Sequence, residues 1–406
     1  MILKSIILGI LSTIILNITY AQYNWEQIPV SDSITIRSIY FHGENAYLGT
    51  ENGVYYSNDQ FETIEHIGLE SQIVLTIFMT SNDELLASST GSIYKYLGNG
   101  EWQNLSSVQS SVICMYESEN GDLFIGSWGY IHKSTDQGNT WNIVFESYNM
   151  EGINDIDEGD NGLLFAGSTS LVGVGHPGGL YRSNDNGETW NLISLEYHFI
   201  SSIVSNSQNE LFVGTKGHWQ TWEGHVFISL DSLGITWEEK FNNNLVVDMD
   251  INEFNTIFIG CASEGYDGGV FCSFDNGDNW EDLSGNLPHR YISKIGVSSE
   301  NMVYILMYAT HNLYRLTDTI TSTPTNSQNN ISIYPNPTTN NIILESTTPI
   351  KKIIVTSLLS NSIANITPYE TINNVLSIDL SNYKSGVYLV TIITDNHVVT
   401  KTIIKR

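Results

Sequence analysis

An eight-residue phrase recurs along most of the chain, and it limits the folds that the chain can form. The phrase reads Ser-x-Asp-x-Gly-x-Thr-Trp, and its clearest copies span residues 134–141, 183–190 and 273–280. A fourth copy at 229–237 holds one extra residue, and two worn copies lie within 57–64 and 98–102. Units of about forty residues cannot each bury a hydrophobic face alone, so they stack on one another or close into a ring.

The chemistry of the phrase predicts a tight turn between two strands. The Asp carboxylate can accept hydrogen bonds from backbone N–H groups two or three residues on, and the Gly can adopt the positive φ that a hairpin needs. The Trp is expected to pack on the sheet as a large hydrophobic anchor. We therefore assign structural roles to the Asp and Trp side chains of the repeat. They are Asp59, Asp136, Asp185, Asp231 and Asp275, together with Trp102, Trp141, Trp190, Trp237 and Trp280.

A second phrase precedes each turn and supplies another strand of the unit. It reads Leu-Phe-x-Gly in residues 123–126, 164–167 and 211–214, and a further apolar segment lies ahead of each copy. Each unit is therefore predicted to hold four strands, labelled A to D in chain order, with the Asp turn between C and D. This turn resembles the Asp-box, or bacterial neuraminidase repeat, of β-propellers with the sialidase-like fold. The resemblance implies that the turns lie on the outer rim, away from the central channel.

Seven units can be counted from the residue that ends each repeat. Those residues, Trp25, Ile64, Trp102, Trp141, Trp190, Trp237 and Trp280, are 38 to 49 positions apart. The last unit has no strand D of its own, and residues 23–28 resemble the missing strand. We therefore predict an all-β chain. It comprises a seven-bladed β-propeller over residues 22–317, whose N-terminal strand closes the last blade, and a small C-terminal β-sandwich. Closing the ring removes free sheet edges.

Residues 1–21 are typical of a secretory signal peptide. One charged residue, Lys4, precedes an apolar run from Ile6 to Ile18, and Ala21 supplies a small residue for cleavage. The run is shorter than the ~20 apolar residues of a membrane span. We therefore expect Sec export, removal of this segment, and no transmembrane span in the mature chain.

The composition changes near the end of the propeller. Residues 318–330 form a polar linker rich in Thr, Ser and Asn. Residues 331–406 then carry six basic and four acidic residues, whereas residues 22–330 carry nine and forty. Short alternating strands return after the linker, which predicts a small second domain at 331–406.

Three motifs in this second domain resemble a known export signal. Residues 333–337 (Ile-Tyr-Pro-Asn-Pro), 385–390 and 402–405 stand in the order found in the type A sorting domain of the type IX secretion system of Bacteroidota. The resemblance implies that residues 331–406 are recognised by the type IX translocon and its sorting machinery. It also implies an extracellular or outer-membrane surface location, reached through the periplasm.

The formal net charge of −28 excludes two classes of partner. Proteins that bind the nucleic-acid backbone need a basic surface, and so do proteins that dock on anionic lipid. We therefore expect no nucleic-acid partner. The sequence also indicates no cofactor.

A propeller fold alone does not decide a function, so we considered enzymes first. Sialidase chemistry needs a cluster of three arginines, but the propeller holds only Arg37, Arg182, Arg290 and Arg315, and two of these are predicted on the rim. An endo-glucanase of the xyloglucanase type instead uses two inner carboxylates. Asp155 and Asp248 occupy the same place in strand A of blades 4 and 6 and are the candidates. The alternative role for them is hydrogen bonding to neighbouring backbone, which we favour.

The preferred hypothesis is a binding module for an extracellular glycan or protein. The loops between strands B and C of blades 4, 5 and 6 are long (168–179, 216–224 and 262–269), and they share one face with the D–A connections between blades. Aromatic side chains beside carboxylates suit a sugar ring or a peptide side chain. The candidate ligand-binding residues are His176, His198, Trp219, Trp222, Glu264, Tyr266, Asp267 and Arg290.

Metal and disulfide sites have weak support. His218 with His225, or Glu264 with Asp267, lacks the dense ligand spacing of a metal centre, so we predict none. Export permits a disulfide between Cys261 and Cys272, provided that strand pairing sets them face to face. Cys114 is predicted to be a small core residue of strand A in blade 3.

Overall fold

The computed structural model contains only strands, turns and one helical residue. It describes residues 23–30, 34–147, 151–159, 162–169, 178–208, 210–218, 223–231, 233–242, 244–262, 268–308, 310–318, 320, 332–334, 338–345, 350–357, 363–366, 375–381, 383–394 and 398–406. Within these residues there is no helix long and apolar enough to cross a membrane. The predicted signal peptide lies outside them. The chain divides after Ile320 into two compact units.

The first unit is a seven-bladed β-propeller, as predicted, and each blade is an antiparallel sheet of four strands. Blade 1 comprises β2 (Ile36–His42), β3 (Asn45–Thr50), β4 (Gly53–Ser57) and β5 (Glu65–His66). Blade 2 comprises β6 (Thr76–Met79), β7 (Leu85–Ser89), β8 (Ser92–Gly98) and β9 (Glu101–Ser107). Blade 3 comprises β10 (Val112–Glu117), β11 (Leu123–Ser127), β12 (Tyr130–Ser134) and β13 (Asn142–Glu146). Blade 4 comprises β14 (Ile153–Glu158), β15 (Leu164–Ser168), β16 (Leu180–Ser183) and β17 (Asn191–Ser194). Blade 5 comprises β18 (His198–Ser205), β19 (Leu211–His218), β20 (His225–Ser229) and β21 (Trp237–Asn242). Blade 6 comprises β22 (Leu245–Ile251), β23 (Ile257–Ala262), β24 (Gly269–Ser273) and β25 (Glu281–Asp282). Blade 7 combines β26 (Ile292–Val297), β27 (Val303–Met307) and β28 (Leu313–Leu316) with β1 (Trp25–Gln27).

The N-terminal strand closes the ring, which confirms the prediction. Trp25 pairs with Leu316, and Gln27 pairs with Tyr314. The indole N–H of Trp25 donates to the carbonyl of Leu283 in blade 6 at 2.8 Å, and the ring is 6% exposed. The two ends of the propeller sequence are therefore joined in one blade, and the hydrophobic core continues across the junction.

Strand B is the buried centre of each blade because the neighbouring blade covers it. All five residues of Leu164–Ser168 are buried, and Phe165 is 1% exposed. Gly167 lets strand A of blade 5 approach, since an added Cβ would overlap the side chain of Ile200. The Gly of the second repeated phrase thus permits close contact between blades.

The repeated turns form the predicted local network, and in blade 5 the Asp231 carboxylate accepts the N–H of Leu233, two residues on, at 2.9 Å as predicted. The copies in blades 3, 4 and 6 need one correction. In blade 3 the Asp136 carboxylate accepts the backbone N–H of Thr140 at 2.8 Å and its hydroxyl at 2.6 Å, so the accepted N–H lies four residues on rather than two or three. The Ser134 hydroxyl accepts the N–H of Gly138 at 2.8 Å, and Gly138 has φ of +80°. The Trp141 indole donates to the carbonyl of Gly138 at 3.0 Å. The Asp136 carboxylate therefore bridges the turn and holds Thr140 at its end.

The second unit contains two sheets. Their strands are β29 (Ser332–Tyr334), β30 (Asn341–Glu345), β31 (Ile350–Ser357), β32 (Ile363–Ile366), β33 (Val375–Asp379), β34 (Gly386–Thr394) and β35 (Val398–Lys405). One sheet has the order β29-β30-β33 and the other β32-β31-β34-β35. A single hydrophobic cluster draws on both, with Ile342 and Ile378 from the first and Ile353, Val390 and Ile403 from the second.

All three cysteines are free and buried. Cys261 pairs with Gly269 across strands B and C of blade 6, and Cys272 pairs with Phe258. The two thiols are therefore three rungs apart, about 10 Å along the strands, and no disulfide joins them. The Cys114 thiol lies against the carbonyl of Ile153 in the next blade at 3.7 Å.

Candidate functional site

Antiparallel pairing places the B–C turns and the D–A connections at one end of the blades, which we call the upper face. It includes, for example, the turn at 51–52 and the connection at 67–75. Three Trp and Tyr side chains are exposed in the described part of the chain: Trp128 (41%), Tyr197 (38%) and Tyr308 (56%). All three lie on the upper face. Ile73 (41%), in the connection at 67–75, is also exposed on this face, whereas the other exposed aliphatic side chains of the described propeller and Phe254 occur at the other end or on the outer strands. Exposed Trp and Tyr side chains, which carry a polar tip, therefore distinguish this face.

Two of the predicted ligand-binding residues have described positions, both on the upper face. The His198 ring, at the start of strand A in blade 5, packs edge-on against Phe227 at 5.3 Å and lies 5.9 Å from the His225 ring. Arg290 precedes strand A of blade 7 and pairs with Asp282 at 3.0 Å. The other six candidates, His176, Trp219, Trp222, Glu264, Tyr266 and Asp267, lie outside the described residues.

An aromatic pair at the top of blade 7 escaped the sequence reasoning. Tyr291 and Tyr308 meet edge to face with ring centroids 4.6 Å apart, and the Tyr308 N–H donates to the Tyr291 carbonyl at 3.0 Å. Tyr291 directly precedes strand A, and Tyr308 directly follows strand B. The pair could have been predicted from the positions of the two residues in the sequence, because the start of strand A and the end of strand B lie side by side in an antiparallel pair.

The central channel holds a cavity of about 420 Å³ lined by the innermost strands, including Asp155, Asp248 and Lys294. The Asp155 carboxylate accepts the N–H of Ile203 from blade 5 at 2.7 Å. The Asp248 carboxylate accepts the N–H of Ile295 from blade 7 at 3.0 Å. Strand A is the edge strand that faces the channel, so its N–H groups need partners other than a further strand. Each carboxylate therefore ties one blade to the next.

Two further carboxylates also accept hydrogen bonds from the next blade, at a lower level of the channel. Asp157 accepts a hydrogen bond from the Ser205 hydroxyl at 2.9 Å, and Asp250 accepts the N–H of Val297 at 2.7 Å. Both lie two residues beyond the first pair, on the same side of their strands. The sequence analysis did not identify these two residues, although the Asp-x-Asp motif recurs at 155–157 and 248–250 and could have indicated them.

The enclosure of these groups changes their proton affinity. Burial, followed by the charges of Asp157 and Asp248, raises the pKa of Asp155 to about 7. Burial likewise raises the pKa of Asp157 to about 6 and that of Asp250 to about 7. Backbone N–H donors oppose these shifts but do not cancel them.

One lysine, Lys294, lines the channel cavity with the carboxylates. Lys294 pairs with Asp248 at 3.5 Å, and its side chain is 46% exposed; the charge of Asp248 raises its pKa. Enclosure, and then the charge of Lys294, lowers the pKa of Lys216, although the Lys216 side chain itself is exposed. The channel can therefore hold a proton on Asp155 near neutral pH and can present positive charge to a ligand. Among the described residues, no three His, Cys, Asp or Glu side chains form a metal-binding group.

Comparison with known families confirms the predicted export domain. Residues 332–406 match the family described as the secretion system C-terminal sorting domain. The chain therefore carries a C-terminal sorting domain that interacts with secretion machinery. No curated protein matches the sequence.

Solved structures support the propeller fold at low sequence identity. PorZ of Porphyromonas gingivalis, an essential bacterial surface component of the type IX secretion system, aligns with TM-score 0.55 and 12% identity over 91% of this chain and 59% of its own. The extracellular domain of a hybrid two-component system of B. thetaiotaomicron aligns with TM-score 0.58 and 13% identity over 93% and 52%. The GH74 xyloglucanase of Xanthomonas campestris aligns with TM-score 0.56 and 11% identity over 91% and 59%. The chain thus spans somewhat more than half the length of these proteins, and the likeness concerns the fold.

Proposed function

We propose that this protein is a secreted or cell-surface β-propeller that binds a glycan or protein ligand on its upper face. One observation carries the proposal: every exposed Trp and Tyr in the described part of the chain, namely Trp128, Tyr197 and Tyr308, lies on that face. Trp and Tyr supply large contact area at low entropic cost, together with a polar tip. The candidates Trp219, Trp222 and Tyr266, which lie outside the described residues, are predicted on long loops of the same face.

The proposed route of export follows from the two ends of the chain. The proposed domains are a signal peptide at 1–21, the propeller at 22–317, a linker at 318–330 and a type IX sorting domain at 331–406. The match of residues 332–406 to the C-terminal sorting family supports this reading. The partners are the type IX translocon and its sorting machinery, and the destination is the outer-membrane surface or the medium.

We further propose that the repeated turns are Asp-boxes. The same hydrogen bonds recur in blades 3 and 4: Asp185 accepts the Thr189 N–H at 2.9 Å, as Asp136 accepts that of Thr140. In blade 6, Asp275 accepts the N–H of Asn279 at 2.8 Å. These contacts support a structural role for the turn carboxylates.

A binding screen tests the proposal. The chain from Gln22 onward is applied to a glycan array and to a panel of surface-protein extracts, and hits are quantified by calorimetry. We expect binding that weakens at least tenfold in Tyr308→Ala and remains in Phe254→Ala, whose side chain is 66% exposed at the opposite end. Equal loss in both variants, or none in either, would contradict an upper-face site.

The alternative is a glycoside hydrolase acting on an extracellular polysaccharide. The raised pKa of Asp155, to about 7, is the observation that favours it, because a general acid must hold its proton at working pH. Incubation of the protein with plant and bacterial polysaccharides would release reducing ends. Their loss in Asp155→Asn and Asp248→Asn, with the fold retained, would replace the binding-only proposal.

A further inference from the structure

The repeated turn of blade 5 differs from the other copies in the side chains that it exposes. Leu230 is 63% exposed, Leu233 45% and Ile235 50%, and we call these three residues the rim patch. Gly234, with φ of +67°, aligns this turn with the others. Directly before and after the glycine, where blade 5 has Leu233 and Ile235, the copies in blades 3, 4 and 6 hold Gln137 and Asn139, Asn186 and Glu188, and Asn276 and Asp278.

A cation of blade 4 contacts the backbone of the rim patch. Nη1 of Arg182, on strand C, donates to the Leu233 carbonyl at 2.6 Å. Blade 3 directs a lysine at the turn of blade 4 in the same way, since Nζ of Lys133 donates to the Asn186 carbonyl at 2.7 Å. Both basic residues pair with the second residue of strand B in their own blade. Arg182 and the blade 3 lysine are therefore equivalent positions of the repeat.

The blade 3 lysine has two carboxylate partners, and Arg182 has none among the described residues. The lysine pairs with Glu188 of the neighbouring turn at 2.7 Å and with Asp122, which directly precedes strand B, at 3.1 Å. Ile235 stands in the place of Glu188, and Leu163 stands in the place of Asp122. Aliphatic residues thus replace both counter-ions around Arg182.

Blade 7 adds a third carboxylate position to the comparison. Arg315, in the same register of strand C, pairs with Glu26 of strand D at 3.0 Å and with Glu62 of the blade 1 turn at 4.0 Å. In blade 4 the strand D residue opposite Arg182 is Asn191. Each position that supplies a carboxylate to an equivalent cation is therefore uncharged around Arg182.

The carboxylate of the blade 5 turn itself does not replace these partners. Asp231 accepts the N–H groups of Leu233, Ile235 and Thr236 at 2.9 to 3.1 Å, and in the described part of the chain it forms no ion pair with Arg182. The other copies of the turn hold an Asp of the same kind in addition to the carboxylates that pair with their cations. The guanidinium is thus available to an external carboxylate, and only one of its five N–H donors is engaged by the Leu233 carbonyl.

The exposure and extent of the rim patch favour a short protein segment as its occupant. The turn joins the two outer strands of blade 5 and presents its side chains to solvent, whereas a small molecule needs a concave site that buries most of its surface. Three aliphatic side chains also offer much less than the roughly 800 Å² per partner of a stable dimer. An extended segment can lay aliphatic side chains on the patch and place a carboxylate against Arg182. Guanidinium and carboxylate groups form charge-assisted, frequently bidentate hydrogen bonds.

We propose that Arg182 and the rim patch bind a short segment of a partner protein in which an Asp or Glu side chain stands among aliphatic residues. The C–D turns lie at the end of the blades opposite the upper face, so this is a second site, independent of the ligand proposed above. Arg182 selects the acidic side chain, and Leu230, Leu233 and Ile235 supply the apolar contact.

A library of dodecapeptides displayed on phage is the probe for this site. The library is first depleted on Ile235→Glu, which restores the carboxylate found in blade 4, and is then selected on the chain from Gln22 onward. We expect enriched peptides that hold an acidic residue beside aliphatic ones. Enrichment of peptides without an acidic residue, or no enrichment, would overturn the inference.

Fluorescence anisotropy with one labelled, selected peptide then measures each contribution. Changing its acidic residue to the amide should weaken binding to the unmodified protein at least tenfold and should leave binding to Arg182→Gln unchanged. Ile235→Glu should weaken binding of the acidic peptide at least tenfold and keep the melting temperature, because its carboxylate can pair with Arg182. Leu97→Asn is the control: Leu97 is 56% exposed on blade 2, and its loss should not alter binding.

Two results would contradict the inference. Equal binding of the acidic and amide peptides to the unmodified protein, or full binding to Ile235→Glu, would show that Arg182 does not hold the carboxylate. Sedimentation velocity tests a second copy of the chain as the occupant, and we expect a monomer. A dimer that dissociates in Ile235→Glu would replace the partner segment with self-association.

Discussion

Gly187, in the turn of blade 4, rests on the ring of Phe124 in blade 3. A methyl group added to Gly187 would lie 2.5 Å from Cζ of that ring, and Phe124 is fully buried. Gly187 also has φ of +77°. This position of the repeated turn therefore requires glycine for two independent reasons, a left-handed backbone and contact with the neighbouring blade.

The first prediction concerns this contact. Gly187→Ala should lower the free energy of unfolding by about 2 to 5 kcal/mol, because the backbone penalty and the overlap with a ring that cannot move aside act together. Urea unfolding followed by tryptophan fluorescence measures the change. Gly121→Ala is the matched control: its φ is +84° and nothing lies within 4 Å of an added Cβ. It should lose about 1 to 2 kcal/mol, and equal losses in the two variants would contradict the interblade contact.

The second prediction concerns ring closure. Trp25→Ala should destabilise the propeller by about 3 to 5 kcal/mol, because a buried indole that links strand D of blade 7 to blade 6 is lost. Trp25→Phe keeps most of the volume and loses the hydrogen bond to Leu283, so about 1 to 2 kcal/mol is expected. Thermal unfolding followed by circular dichroism distinguishes the two. A Trp25→Ala protein as stable as the unmodified chain would show that closure does not limit stability.

The features that were predictable from the sequence arise from local contacts. The turn from Ser134 to Trp141 contains both the donors and the acceptors of its hydrogen bonds, so its sequence predicts its conformation. Seven units of this kind predict a closed ring. The role of Asp155 is different, because its carboxylate bonds to Ile203, 48 residues later and in another blade. Which N–H group faces which carboxylate depends on the spacing between blades, and no local pattern encodes it.

In the candidate site, too, local features could be predicted from the sequence and contacts between distant residues could not. Arg290 could be assigned to the upper face from its place between strands D and A. The ion pair between Lys294 and Asp248 could not be predicted, because the two residues belong to blades 7 and 6 and meet only in the closed ring. The Tyr291 and Tyr308 pair depends on the register of strands A and B in blade 7, which pairs Ile292 with Met307.

The third prediction uses the raised pKa of Asp250. Its pKa is about 7 in the native state, above the value of about 3.9 for an unfolded chain. The native state therefore holds a proton that the unfolded state has released, and this stabilisation is present below about pH 4 and is lost as the pH rises through 7. Asp250→Asn keeps an oxygen for the Val297 N–H and cannot ionise. Between pH 5 and 8 the unmodified protein should lose about 1 to 2 kcal/mol more than the variant, less than the full shift because Asp250 is only partly buried.

Urea unfolding at several pH values provides the measurement for Asp250→Asn. Asp83→Asn is the control, since the Asp83 side chain is 88% exposed. It should follow the pH dependence of the unmodified chain. Identical pH slopes for Asp250→Asn and the unmodified protein would show that Asp250 does not retain its proton near neutrality.

The fourth prediction concerns a buried histidine of blade 3. His132 is 2% exposed, and neither ring nitrogen has a hydrogen-bond partner in the described structure. Burial lowers its pKa to about 4, below the value of about 6.5 for an unfolded chain. Between pH 4 and 6.5, therefore, His132 is protonated in the unfolded state and neutral in the native state. The stability contribution is therefore full above pH 6.5 and is lost as the pH falls towards 4.

His132→Phe removes this titration and the unpaired nitrogens together. The variant should be at least as stable as the unmodified protein at pH 8, and it should avoid about 2 to 3 kcal/mol of the loss that the unmodified protein suffers on going to pH 4. Comparison of the two proteins at each pH cancels the opposite contribution of the channel carboxylates. His42→Gln serves as the control, because the His42 side chain is 43% exposed beside Asp83. Parallel stability curves for His132→Phe and the unmodified chain would mean that His132 is protonated in the folded state as readily as in the unfolded one.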